Sequence, residues 1–193
     1  MAAMNTSANS DAPAKRRRSE PRSERRGKSK RAANTPDKAA ISFIKDLRRD
    51  YPQFSFKPGL HENWSPSSNT ITFIPKQRFE QLSYGVLHEL AHALLGHSTY
   101  HNDFELLKLE TEAWQLAAKI GRRYKLRIDQ NHIQNCLDTY RDWLHRRSTC
   151  PTCGMHVLQK DSHSYMCFNC LSVWRVTSGR LVRPYRRSMS KEQ

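Results

Sequence analysis

The stretch Tyr84–His97, YGVLHELAHALLGH, sets three ionisable side chains into an otherwise apolar helix. His88 and His92 are four residues apart, so on an α-helix they share one face about a turn apart. Glu89 stands about 100° round the helix from His88. Leu87, Leu90, Ala91, Leu94 and Leu95 predict a mostly buried helix. Unpaired histidines and a glutamate are costly in such surroundings, and a bound metal removes that cost. The pattern is HExxH: two imidazole ligands and a general base on one turn. In that chemistry the ion lowers the pKa of a bound water to roughly 7, and the glutamate takes its proton as it attacks a carbonyl.

The motif cannot complete its own site, so the fold must bring a third ligand to it. The metzincin pattern HExxHxxGxxH fails, because Gly96 and His97 are each one residue out of place. A carboxylate from the following helix would give a set of two histidines and one glutamate, with a position left for water. The segment LLKLETEAWQLAAKI offers Glu110 and Glu112. The apolar residues Leu106, Leu109, Ala113, Leu116, Ala117 and Ile120 define a buried stripe. Glu110 falls about 60° from Ala113, inside the stripe, while Glu112 falls about 100° away on the other side, at or beyond its edge. A carboxylate inside the stripe needs a partner, which favours Glu110 as ligand and leaves Glu112 supporting or solvated. Tyr84, His97, Tyr100, His101, Tyr124 and His132 are of the right type to stabilise an oxyanion, and spacing singles out none of them.

Taken together, SNTITFIP, LSYGVLHELAHALLGH and LETEAWQLA resemble the ImmA/IrrE-type zinc metallopeptidases of the gluzincin class, over roughly residues 37–125. The resemblance implies a short strand, an HExxH helix and a second helix whose first motif glutamate binds the metal, here Glu110. Trp114 stands where that motif has Asn or Asp. A second resemblance, to SprT/Spartan-like proteases that act on proteins crosslinked to DNA, rests on HExxH followed by a zinc ribbon. It implies a third histidine from an H-G-x-x-(F/W) element. HNDFELL offers His101 without the glycine and with Phe104 one residue early, so Glu110, Glu112 and His101 all stay open.

Four of the five cysteines form two pairs, Cys150-x2-Cys153 and Cys167-x2-Cys170. Each pair makes a knuckle offering two thiolates, and two knuckles close a tetrahedral, structural zinc site. The 13 residues between them suit a β-hairpin, and Gly154 suits the sharp turn after the first knuckle. With few apolar residues, this zinc ribbon depends on metal for its folding energy. His156 and His163 are spare donors. Cys136 falls on a helical stripe with Ile133, Leu137, Tyr140 and Leu144 and reads as a buried small residue.

The net charge of +15 sits at the two ends. Residues 1–40 carry 11 Lys and Arg against 4 Asp and Glu; residues 147–193 carry 8 against 2; the middle is nearly balanced. That distribution suits a central domain flanked by elements that meet a polyanion. Arg175, Arg180, Arg183, Arg186 and Arg187, interleaved with Tyr165, Trp174 and Tyr185, are the candidate DNA or RNA contacts. A core role for Tyr165 and Trp174 competes with this. The absence of a long apolar run or an apolar leader points to an intracellular, cytoplasmic protein without membrane contact, at the nucleoid or nucleus if nucleic acid is bound.

The expectation is an α+β chain: a disordered basic arm over 1–34, a small gluzincin-like metallopeptidase domain over 35–146, a four-cysteine zinc ribbon over 147–183 and a basic tail over 184–193. A helix capped by Thr35, Pro36 and Asp37, with Ile41, Ile44 and Leu47 inward, opens the domain, and Thr70–Ile74 forms an edge strand for an extended substrate. The expected function is a two-zinc endopeptidase acting on a protein near nucleic acid, with Glu89 as base and His88, His92 and Glu110 as ligands. The alternatives are a SprT/Spartan-like protease and a non-enzymatic nucleic-acid-binding protein with a relict HExxH site.

Overall fold

Helix α1, Lys38–Asp50, buries Ala40, Phe43, Ile44 and Leu47 at helical spacing and stops before Pro52. Phe43 takes the inward place expected of Ile41, which is 56% exposed. The structure is a computed structural model that describes residues 38–161, 163–177 and 186–189. The basic arm and the cap expected at Thr35–Asp37 lie outside the described residues.

Three short strands follow: β1 Ser55–Pro58, β2 Asn63–Ser65 and β3 Thr70–Phe73. Their order is β1-β3-β2, with β1 parallel and β2 antiparallel to β3. The expected edge strand at Thr70–Ile74 is therefore the central one. Its Ile71 and Phe73 are buried on one face, while Thr70 is buried and Thr72 half-buried on the other. The edges are β1 and β2.

Helix α2, Phe79–Leu95, carries the HExxH motif and packs on the sheet and on α1. It ends at Gly96, whose φ of 68° is the left-handed cap that reverses the chain. Asn102 then caps α3, Asp103–Arg123, by accepting a hydrogen bond from the Glu105 backbone at 2.9 Å. Asp129 caps α4, Gln130–Ser148, in the same way through Asn131. One hydrophobic core joins α1, the sheet, α2, α3 and the first half of α4.

The last turns of α4 depart from the expected stripe. Trp143 and Arg147 are buried there, and Leu144 is only half-buried, because this end of the helix faces the ribbon. The ribbon sheet is antiparallel, with order β4 Ser164–Met166, β5 Val173–Val176 and β6 Arg186–Ser188. Strand β6 extends the ribbon into what read as a basic tail. Trp174 donates from Nε1 to the Arg147 carbonyl at 3.0 Å, and the Tyr165 hydroxyl donates to the Asp103 carboxylate. The Asp103 backbone N–H donates to Gln159 Oε1 at 2.8 Å. Ribbon and helices thus form one compact unit. No helix among the described residues is long and apolar enough to cross a membrane.

Candidate metal centres

The sequence folds α2 and α3 against each other, and the apolar stripe of α3 carries Glu110 to the histidine face of α2. His88 Nε2 and His92 Nε2 are 3.1 Å apart. Glu110 places Oε2 at 3.2 Å from His88 Nε2 and Oε1 at 3.6 Å from His92 Nε2. Ligands about 2.0–2.1 Å from a tetrahedral ion stand about 3.3–3.4 Å from one another, so these three separations suit one ion. Glu110 is 7% exposed, and its Oε2 is buried without an aligned hydrogen-bond partner. Burial opposes its ionisation, but the two imidazoles outweigh burial and hold its carboxyl well below the usual range. A buried anion with an unused lone pair facing two ring nitrogens fits a metal ligand set.

Glu89 is half-buried and borders a cleft of about 410 Å³ with His88 and Glu110. Glu62 and Gly85, which spacing did not single out, share this cleft. Glu62, in the turn before β2, rests on Gly85: a Cβ there would lie 2.4 Å from the Glu62 carboxylate. Burial and the nearby Glu89 charge push the Glu62 carboxyl upward, against the Gln77 hydrogen bond. The legible signal was Gly85 itself, since a glycine inside a helix often marks close approach. Of the six oxyanion candidates, His132 alone lines the cleft. Tyr84 donates to the Arg127 carbonyl and Tyr124 to Asp50, while Tyr100 is exposed. His132 Nε2 lies 3.7 Å from Cys136 Sγ, and Cys136 stands half-buried on the cleft wall instead of in the core interior.

The other proposed ligands lie elsewhere. The His101 side chain is 83% exposed and paired with Glu105, away from the three converging groups. Glu112, 41% exposed, faces His97 at 3.6 Å. His97 touches the back of His92, with the two Nδ1 atoms 2.9 Å apart.

In the ribbon the four cysteines converge, with Cys150 Sγ to Cys170 Sγ and Cys153 Sγ to Cys167 Sγ both at 3.5 Å. Tetrahedral thiolates on an ion at about 2.3 Å would stand about 3.8 Å apart. Both knuckles turn through the residue after their second cysteine, Gly154 at φ 75° and Leu171 at φ 59°. The amide of each returns to the first cysteine's carbonyl, at 3.0 and 2.9 Å. The Ser172 hydroxyl and backbone push the Cys170 thiol down to about 6. His156 lies beside His145 and Thr149, and His163 is exposed; neither belongs to the cysteine cluster.

The nucleic-acid reading loses two of its aromatics. Tyr165 and Trp174 are fully buried and stack on each other at 5.5 Å, so they are ribbon core and offer no face to a base. Arg175 is exposed on β5, and Arg187 takes the register position opposite it. Arg186 is also on β6, while Arg180, Arg183 and Tyr185 lie outside the described residues. No family model matches the chain, and no curated protein or solved structure matches it.

Proposed function

We propose that this chain is a zinc-dependent endopeptidase with a structural zinc ribbon. The observation that carries the reading is the meeting of His88, His92 and Glu110 from two helices beside Glu89 on an open cleft. Bound there, zinc supplies Lewis acidity and a water of lowered pKa. Glu89, bordering the same cleft, would be the general base, taking a proton from the attacking water and returning one to the leaving amine. His132, on the cleft wall, is the donor best placed by type for the developing oxyanion. The outer edge of β2 offers backbone groups to an extended substrate. The ImmA/IrrE-like motif agrees with this ligand set, and the gluzincin class follows from the same reading. The exposure of His101 favours it over a SprT/Spartan-like site.

The ribbon, with Arg175 exposed and further arginines on β6, is proposed to hold the enzyme near nucleic acid through phosphate contacts.

The Glu89→Gln variant tests the reading. It should lose peptide cleavage while keeping two zinc ions per chain and salt-sensitive nucleic-acid binding. Wild-type cleavage by Glu89→Gln would refute the assignment of the base. A wild-type chain carrying one zinc would refute the first centre.

A further inference from the structure

We propose that His97 is a positioning residue for the His88–His92–Glu110 centre: it fixes the tautomer and ring angle of His92, and Glu112 orients His97 in turn. The inference rests on the reading of that centre as a metal site.

The argument starts from the two rings. His92 Nδ1 and His97 Nδ1 are 2.9 Å apart, with ring planes at 66°. Two neutral imidazoles share a single hydrogen across such a contact. His92 turns its Nε2 toward His88 and Glu110, where a ligand nitrogen must be free of hydrogen. The hydrogen of His92 is therefore on Nδ1 and is donated to His97 Nδ1. His97 then keeps its own hydrogen on Nε2, and that atom faces Glu112 Oε2 at 3.6 Å. Each ring is left with one tautomer, and the chain from His92 through His97 ends on a carboxylate. Outer partners of this kind set the orientation and basicity of a ligand histidine.

The backbone holds His97 in place for this. Gly96 reverses the chain, so that the His97 N–H donates to the His92 carbonyl at 3.0 Å. Trp64, from edge strand β2, donates from Nε1 to the His97 carbonyl at 2.9 Å. The His97 side chain is 10% exposed. Spacing excludes His97 as a ligand; its contact with the back of a ligand gives the glycine-histidine pair after HELAH a separate role. It also gives Glu112 one, beside Lys108 at 3.8 Å.

The test uses the full chain with its ribbon centre already loaded. Zinc affinity of the remaining site is measured by titration against a chromophoric chelator. His97→Phe keeps ring bulk and removes the acceptor; its zinc dissociation constant should rise about 10- to 100-fold, with a smaller rise for Glu112→Gln. Long-range proton–nitrogen spectra of the zinc-loaded wild type should show His92 protonated at Nδ1 and His97 at Nε2, a readout that needs no variant. Wild-type zinc affinity in His97→Phe, or a His97 protonated at Nδ1 in the loaded protein, would overturn the positioning role while leaving the metal centre intact. A wild-type chain that takes up zinc only at the cysteines overturns both.

Discussion

The indole of Trp114 lies stacked on the imidazole of His88, with centroids 4.2 Å apart and 25° between the planes. His88 Nδ1 is buried without a hydrogen-bond partner, so packing holds this imidazole where a hydrogen bond holds that of His92. Trp114→Ala should remove a buried ring and cost about 3–5 kcal/mol in urea unfolding. Trp114→Phe keeps an aromatic face on His88 and should lose less, with two zinc ions retained by metal analysis. Loss of zinc from Trp114→Phe at unchanged stability would show that the indole does more than pack.

The ion pair between half-buried Asp103 and buried Arg147 joins the start of α3 to the last turn of α4. Arg147 is 2% exposed, its Nη1 is 3.7 Å from Asp103 Oδ1, and its guanidinium lies 4.1 Å from the Trp143 ring centre. Asp103 also accepts from Tyr165. Removing one partner strands a buried charge, so Asp103→Ala should cost about 3–5 kcal/mol. Arg147→Met in the same chain removes that charge and should recover part of the loss. Additive costs in the double variant, measured by denaturant unfolding, would show that the two groups do not interact.

How much of this was legible depended on period and spacing. HExxH and the paired cysteines fix their own geometry within a helical turn or a knuckle, so His88, His92 and the four thiols come together where the sequence put them. Glu110 was legible because a helix of period 3.6 turns an apolar stripe into a direction. The edge strand was misread because Thr70–Phe73 gives no sign of how its short neighbours pair around it. Arg147 escaped because nothing in a solvated-looking HRRS sequence announces that a ribbon will cover it. Glu62 escaped because its place depends on a turn before β2 that meets α2 only in the folded chain. Pairing across long separations has no local period to read.

Glu62 gives a pH-dependent prediction. Burial and the Glu89 charge raise its folded pKa above the value near 4.3 of an unfolded glutamate. A carboxyl raised in this way is best tolerated when protonated. Its contribution is most favourable below the unfolded pKa and is eroded as pH rises through the folded one. Glu62→Gln, neutral at every pH, should therefore melt higher than wild type at neutral pH, and the gap should close toward pH 4. Thermal melts of both proteins across that range decide it. A constant gap would mean that the glutamate's charge is not the source.

Leu171 closes the second cysteine knuckle at φ 59°, in the position that Gly154 fills in the first. A side chain in the left-handed region costs about 1–2 kcal/mol, and glycine avoids it. The Leu171 side chain is largely exposed, so its removal sacrifices little packing. Glycine also widens the unfolded ensemble, which returns about 0.4–1 kcal/mol of the gain. Leu171→Gly should on balance stabilise the ribbon by up to about 1 kcal/mol. The cleanest readout is local: the ribbon should release zinc to a chelator more slowly, while unfolding of the helical core is unchanged. Faster release would mean that the exposed leucine contributes contacts worth more than the strain of its backbone.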